Sequence, residues 1–208
     1  MTDQSGTAYF DTLFAQSLEL IARFPITIEP APMDYITGAL AAEVETQRPD
    51  NPFNQPGAEA ASERRDDVAI GMNTTGMLLD RLTILAMKHW NLEHRAKDPA
   101  KAAALKNGQV AEIIEALAQA RPGQSSINNK MTTRTVDATA DTFADAFYGL
   151  VTTNLLLWES QEVLYNHDIA KLPESELRAY IDFFSHGNIL RNVYIQASDQ
   201  TYWEAVGA

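Results

Sequence analysis

Apolar side chains recur at alternating steps of three and four residues through most of this chain, and no other feature constrains the fold as strongly. This period covers one face of an α-helix, because a helical turn holds about 3.6 residues. No segment makes a credible β-strand. The sequence therefore predicts an all-α protein. The clearest stripe consists of Thr75, Leu78, Leu82, Leu85, His89, Leu92 and Ala96.

The apolar stripes and their flanking residues predict an antiparallel bundle of about six helices. Asp98 and Pro99 form an N-cap followed by proline at the first helical position. Asp137 or Thr139 is predicted to cap the fifth helix, and Pro173 to open the last one. The predicted helices span approximately residues 9–24, 34–45, 68–97, 98–120, 137–165 and 173–203.

Three of these helices carry stripes that predict how they are buried. The last helix is apolar on several sides, which predicts that it is the central and most enclosed one. The fourth helix presents Ala103, Val110, Ile113, Ile114 and Leu117. The fifth presents Phe143, Phe147, Leu150, Asn154, Leu157, Gln161 and Leu164.

A long proline-rich loop is expected between the second and third helices, at residues 46–67. Pro49, Pro52 and Pro56, with Gly57, exclude a regular element from its first half. It is predicted to be a strap or connector, with a ligand lid as the alternative. One domain is expected over 1–208, with the N-terminal helices and loop (1–67) packed on a core bundle (68–208).

Composition narrows the function classes. The chain has 16 Lys and Arg against 28 Asp and Glu, so its formal net charge is −12. Such a surface repels phosphate backbones, and no nucleic-acid partner is expected. The absence of cysteine excludes thiol nucleophiles and cysteine zinc sites, and fits a reducing compartment. With no basic, apolar leader and no long apolar run, we expect a cytoplasmic protein without membrane insertion.

Polar residues on apolar stripes are the candidate functional residues, because a buried polar group needs a partner. Asn154 and Gln161 lie seven residues apart on the fifth helix. A pair of buried amides that fixes the register of the helices is the favoured interpretation, and a ligand contact is the alternative.

The last helix carries a second polar group. Asp182 and His186 share a face, and Asn188, Arg191 and Asn192 follow. An arginine in a helical core is expected to meet a carboxylate, with Asp80, Glu159 and Glu162 as candidates. This pattern favours a polar network that pins the last helix to the third and fifth. The alternative is an anion or sugar site with Arg191 as the fork.

The sequence contains none of the common catalytic or metal-binding motifs considered below. No histidine has glutamate three residues before it, so the di-iron bundle motif is absent. Nucleophile elbows, phosphate-binding loops and dinucleotide motifs are absent too. No cofactor, metal or catalytic residue is therefore predicted. A looser metal site would draw on Asp182, His186, His89, Glu93 and Glu162, as in a metal-dependent bundle enzyme.

Three segments of the chain carry distinctive motifs. Their residues are Asp80, Arg81, Leu82, Thr83, Ile84, Leu85 and Lys88, then Asn154, Leu157, Trp158 and Glu162, then Ile181, Asp182, Arg191 and Asn192. Together, over about residues 77–199, these segments resemble a group of bacterial all-helical domains of unknown function, the family numbered forty-two fifty-four and its relatives. Gln161 stands where that family tends to have Glu, and Tyr165 where it tends to have Arg.

Members of this family are often encoded beside glycosyltransferases, so the resemblance implies a link to surface-glycan assembly. With the missing catalytic motifs, it favours a non-catalytic accessory protein that binds a protein partner or associates with itself. The alternative is an enzyme or a binder of a sugar phosphate or other anion, with its site between the third, fifth and last helices. The candidate binding residues are Asp80, Arg81, Lys88, Asn154, Trp158, Glu162, Asp182, His186, Arg191 and Asn192.

Overall fold

The structure is a computed structural model that describes residues 4–23, 73–122, 140–166 and 168–206. All regular structure in these ranges is helical, which confirms the all-α prediction for them. The predicted helix at 34–45 and the loop at 46–67 lie outside the described residues. The helices are α1 (Gln4–Arg23), α2 (Thr75–His94), α3 (Pro99–Leu105), α4 (Ala111–Ala118), α5 (Phe143–Asn166) and α6 (Glu174–Ala205).

The described helices pack around one main hydrophobic cluster. It contains side chains from α1, α2, α3, α4, α5 and α6, and Phe10, Leu79, Leu82 and Phe147 are among its most buried members. α6 packs along α5 and α2, while α1 lies against α2 and α4. A short 3-10 turn, Ile169–Lys171, connects α5 to α6. A second, small cluster of Val163 and Tyr180 holds that end of the α5–α6 pair.

A π-helical turn, Lys106–Val110, joins α3 to α4 into one continuous rod. Asp98 caps this rod as predicted, since its side chain accepts a hydrogen bond from the Lys101 amide. The π turn holds one extra residue, so the step between buried residues lengthens to five. The sequence pattern placed Ala103 on the buried face, and this is wrong. The buried residues are Ala102, Leu105, Val110, Ile114 and Leu117.

The predicted caps Asp137 and Thr139 lie outside the described residues, and within the described ranges α5 begins at Phe143. Its first turn is closed by Thr142, whose hydroxyl accepts a hydrogen bond from the Asp145 amide at 3.1 Å. The same hydroxyl donates to the Asp145 carboxylate at 2.7 Å. The hydroxyl of Thr142 thus caps the helix, and the Asp145 carboxylate holds that hydroxyl in place. This local cap explains the boundary, and the acid also favours the positive end of the helix dipole.

The most enclosed helix is α5, and the prediction that the last helix is central is wrong. Nearly every residue of α5 from Phe143 to Ser160 is buried. In α6 the buried positions concentrate in the C-terminal half, and Ile181 in the N-terminal half is 61% exposed. The apolar residues of α6 misled the pattern because most of them are only half-buried and Ile181 faces solvent, where an apolar side chain costs little.

Two glycines allow α6 to approach its neighbours closely. A Cβ atom on Gly76 of α2 would collide with the Ile195 carbonyl of α6. One on Gly149 of α5 would enter the ring of Tyr194, also on α6. α6 therefore lies almost against the backbones of α2 and α5 along its C-terminal half, as small residues permit.

Replacing Gly76 by alanine tests this packing. The new methyl group would meet a backbone carbonyl, which cannot rotate away like a flexible side chain, so α2 and α6 must separate. We expect Gly76→Ala to lower the free energy of unfolding by about 1–3 kcal/mol. Gly108→Ala is the control, because nothing lies within 4 Å of its Cβ position. It should raise the stability by about 0.5–1 kcal/mol. Denaturant titration measures both, and equal effects would contradict the close approach.

Candidate functional site

The carboxylate of Asp80 is the meeting point of three helices. Arg191 of α6 donates from Nε to Oδ1 at 2.8 Å and from Nη2 to Oδ2 at 2.6 Å. Asn154 of α5 donates from Nδ2 to Oδ1 at 2.9 Å, and to the hydroxyl of Thr83 at 2.7 Å. The Thr83 hydroxyl in turn donates to the Asp80 carbonyl at 2.8 Å. We call Asp80, Thr83, Asn154 and Arg191 the Asp80 clasp.

Helical spacing explains why these side chains converge. Asp80 and Thr83 are three residues apart on α2 and therefore share a face. Both are buried, as is Asn154 on the heavily buried helix α5. Arg191 reaches the carboxylate from the side of α6, and its side chain keeps 28% of its surface exposed against 8% for Asp80. The clasp thus lies at the edge of the core, with the arginine as its outer member.

The electrostatics of the clasp favour permanent ionisation of its arginine. The hydrogen bonds to Asp80 raise the pKa of Arg191 above its ordinary value, against the opposing effect of burial. Two parallel N–H···O bonds between guanidinium and carboxylate are the strongest form of such a pair. Both oxygens of Asp80 are engaged, and so are two donors of Arg191. The pair is therefore arranged for attachment of helices rather than for proton transfer.

A second ion pair joins α5 to the residues just after α2. Arg95 donates from Nη2 to Glu159 Oε2 at 2.7 Å and from Nη1 to Asn91 Oδ1 at 3.1 Å. The Glu159 side chain is 1% exposed. Burial raises the pKa of Glu159, the hydrogen bond from Arg95 opposes that shift, and the nearby charge of Glu162 adds to it. Arg95 also lies over the Trp90 ring, 5.7 Å from its centroid.

A third polar contact places Asp199 of α6 at the N-terminus of α2. Its Oδ1 accepts a hydrogen bond from the Gly76 amide at 3.2 Å, and the Thr75 amide also donates to this carboxylate. Helix N-termini attract anions, because their first amides have no partner within the helix. Here a side chain of the protein takes that position. Burial raises the pKa of Asp199, and the two backbone hydrogen bonds oppose the shift.

Of the ten candidate binding residues, the structure brings together Asp80, Asn154 and Arg191. Arg81 and Lys88 are exposed on α2. Asp182 and His186 are exposed on α6, and the His186 ring contacts the Asp182 carbonyl at 2.8 Å. At about 1.5 Å of rise per residue, Asp182 is more than 13 Å along the helix from Arg191.

The remaining three candidates, Trp158, Glu162 and Asn192, are each half-buried. Trp158 is half-buried against the main hydrophobic cluster, and its Nε1 is buried without a hydrogen-bond partner among the described residues. Glu162 is half-buried and accepts from Asn166 Nδ2 at 3.3 Å. Asn192 is half-buried on α6, next to Arg191.

The predicted pair of buried amides on α5 is half wrong. Asn154 is buried in the clasp, but Gln161 is exposed and donates to the Tyr165 hydroxyl on its own helix at 2.6 Å. The stripe from Phe143 to Leu157 is buried as predicted. After Ser160 most residues of α5 are exposed or half-buried. Gln161 therefore faces solvent, although it follows the same helical spacing as Asn154, and it needs no partner on another helix.

Sequence reasoning missed three members of these contacts. Thr83 was part of the family motif but had no assigned role, although its position three residues after Asp80 is the available signal. Arg95 was overlooked because it is not one of the residues of the apolar stripe, and Glu159 pairs with it instead of with Arg191. Asp199 has no local signal, because its partner is the start of α2, 123 residues away.

Comparisons with known proteins add no relative: no protein-family model, curated protein or solved structure matches the chain. The family resemblance drawn from the motifs therefore stays a prediction. Among the residues that the structure describes, no group of three or more His, Asp or Glu side chains is placed to hold a metal ion. Within the same ranges, every helix is too short or too polar to cross a membrane.

Removing the arginine of the clasp should destabilise the fold strongly. Arg191→Met leaves the Asp80 carboxylate buried without its cation, and we expect a loss of about 3–5 kcal/mol in the free energy of unfolding. Arg178→Met is the matched control, because Arg178 lies on the same helix in an exposed pair with Glu174 at 3.5 Å. Its loss should stay within about 0.5 kcal/mol. Chemical denaturation of both variants gives the comparison.

The double variant Asp80→Leu, Arg191→Met distinguishes two effects on stability. One is the loss of the attraction between the two side chains, and the other is the cost of leaving the Asp80 carboxylate buried without a cation. It removes both ions, so it should be more stable than Arg191→Met alone. If Arg191→Met costs no more than Arg178→Met, the clasp does not hold the helices together.

The pH dependence of stability should reveal the burial of Glu159. Because its pKa is raised in the folded protein, its contribution is fully present below the ordinary value of 4.5 and is lost as the pH rises through the raised value. The difference in unfolding free energy between wild type and Glu159→Gln should therefore fall across that window and then stay constant. Asp199 titrates in both proteins and cancels. A difference that grows with pH would show that attraction to Arg95 outweighs burial.

Proposed function

We propose that this protein is a non-catalytic helical accessory protein that acts by binding a protein partner, in connection with surface-glycan assembly. The observation that supports it best is the Asp80 clasp, in which the conspicuous polar residues of α2, α5 and α6 bond to one another. An active site needs polar groups directed at a substrate. In the clasp both carboxylate oxygens and the amide nitrogen of Asn154 are already engaged within the protein.

An exposed apolar stripe on α6 supports a binding role. Leu177, Ile181 and Phe184 are three or four residues apart, so they lie along one face of the helix. Ile181 is largely exposed and the other two are half-buried. Tyr165 and Ile169, at the adjacent turn between α5 and α6, are also exposed apolar side chains. Clustered apolar side chains near one end of a helix pair are a common feature of protein interfaces.

The charges around this stripe indicate a partner with basic flanks. The two cations of the segment are engaged, Lys171 with Asp168 at 3.2 Å and Arg178 with Glu174 at 3.5 Å. Glu176 and Asp182 are exposed acids without such a partner among the described residues. A helix that presents apolar side chains between Lys or Arg residues would complement both features. The acidic surface also disfavours a second copy of this chain as the occupant.

The link to glycan assembly depends on the motif resemblance. The Asp80, Asn154 and Arg191 positions that carry the resemblance are the ones that form the clasp. If relatives share these residues, they share them for the attachment of three helices. A common scaffold, rather than a common reaction, is then what the motifs preserve. The partner we propose is accordingly a protein of the glycan-assembly machinery.

The proposal is tested by co-purification with a tagged chain expressed in its source organism, with partners quantified by mass spectrometry. Ile181→Asp places a charge at the centre of the stripe and should reduce a specific partner by about tenfold or more. Glu19→Lys, on the exposed side of α1, is the control and should leave the partner unchanged. Light scattering on the purified protein should show a monomer.

Two results would contradict the proposal. A partner that is retained equally by wild type and Ile181→Asp would place the interface elsewhere. A thermal shift with sugar phosphates that Arg191→Lys abolishes, while that variant stays folded, would favour the alternative of an anion-binding site at the clasp.

A further inference from the structure

A groove beside α2, lined by none of the residues of the clasp, contains charged and apolar side chains to which the proposed function assigns no role. It has a volume of about 290 Å³ and lies between α2 and the rod formed by the π turn and α4. Leu85 is the buried part of its lining, and Ile84 and Ile113 are half-buried beside it. Both α2 and α4 therefore contribute apolar side chains to the groove.

The polar residues of the groove carry opposite charges on opposite walls. Arg81 stands on α2 and Glu112 on α4, and both are exposed. Their charged atoms are more than 4.0 Å apart, so they form no ion pair, and neither hydrogen-bonds to another described residue. One wall therefore offers a guanidinium and the other a carboxylate, with apolar side chains between them.

The π turn supplies the third polar group. Gln109 belongs to this turn and lines the groove with an exposed amide, which can both donate and accept hydrogen bonds. A π turn adds a residue to a helix at a cost in hydrogen-bond geometry, and such turns occur frequently at functional sites. Gly108 beside it has nothing within 4 Å of its Cβ position, so close packing of a neighbouring helix does not explain the turn.

We propose that this groove binds a free α-amino acid with an aliphatic side chain. The carboxylate of the amino acid would pair with Arg81, its ammonium group with Glu112, and its side chain would cover Ile84, Leu85 and Ile113. A zwitterion is the ligand that neutralises both walls at once, since it bridges two charges that are too far apart to meet directly. The volume lies at the lower limit of the usual range for ligand pockets and leaves room for a ligand of this size.

We expect weak binding, because the charged residues of the groove are exposed to solvent. Both charged side chains keep contact with water, so each ion pair contributes little, and a dissociation constant on the order of 1 mM is expected. The site is separate from the stripe on α6, so this inference does not depend on the proposed function.

Titration of the full chain with L-leucine, followed by amide NMR shifts, tests the site. The expected result is saturable shifts at Ile84, Leu85, Gln109 and Ile113. Leucinamide lacks the carboxylate and N-acetyl-leucine lacks the cation, and each should bind about threefold to fivefold more weakly, because each loses one exposed ion pair. Arg81→Gln and Glu112→Gln should weaken L-leucine to the same extent.

Lys88→Gln provides the matched control. Lys88 is an exposed cation on the same helix as Arg81 but does not line the groove, so its loss should leave binding unchanged. The proposal is overturned if L-leucine causes no saturable shifts, or if the shifts lie outside the groove. It is overturned equally if N-acetyl-leucine binds as well as L-leucine, or if Lys88→Gln weakens binding as much as Arg81→Gln.

Discussion

The buried carboxylate of Asp80 is the constraint on which the arrangement of α2, α5 and α6 depends. A charge in this position is costly unless a cation and further donors surround it, and these come from two other helices. Helix α6 cannot slide along α2 or turn about its axis without breaking the two bonds of Arg191. Apolar packing alone would tolerate such movements better, because it has no direction. The clasp therefore defines the register, while the surrounding apolar cluster supplies most of the burial.

Two of these helices, α2 and α6, are also aligned by the shapes of their contacting surfaces. Where Gly76 meets the Ile195 carbonyl, α6 touches the backbone of α2, and Asp199 caps α2 one turn further along. Directional hydrogen bonds and steric fit thus favour the same alignment of α6 against α2. The buried pair of Asp80 and Arg191 adds little net stability by itself. Its effect is to exclude other alignments of α6 against α2, because those would leave the buried charge without its partner.

The helices and much of the core could be predicted from the sequence, because the apolar period and the caps are local. Asp98 and Pro99 mark the start of α3, and the stripe of α5 is buried from Phe143 to Leu157. The π turn was missed because nothing in residues 106–110 distinguishes it from an α-helical turn except a shift in the buried face. The exposure of Ile181 and Gln161 was missed because it depends on where neighbouring helices end.

The candidate site, too, could be predicted from the sequence only in part. An arginine amid apolar residues predicts a carboxylate partner, and Asp80 was among three candidates. The choice among them required coordinates, since Glu159 is taken by Arg95, a residue with no pattern of its own. Asp182 and His186 share a face with each other, as their spacing predicts, but spacing along one helix does not reveal whether that face meets another helix. In α6 it does not, because both side chains are exposed.

The uneven burial of α6 also has a dynamic consequence. Its C-terminal half is held by α2, α5 and the aromatic side chains Tyr194, Tyr202 and Trp203, whereas its first turns contact little beyond the end of α5. Opening of the first turns therefore exposes little apolar surface, and opening of the rest exposes much. Amide hydrogens before Tyr180 should exchange with solvent through local fraying, and those after Arg191 only through global unfolding. One continuous helix thus contains two units of cooperativity, with the boundary near the clasp.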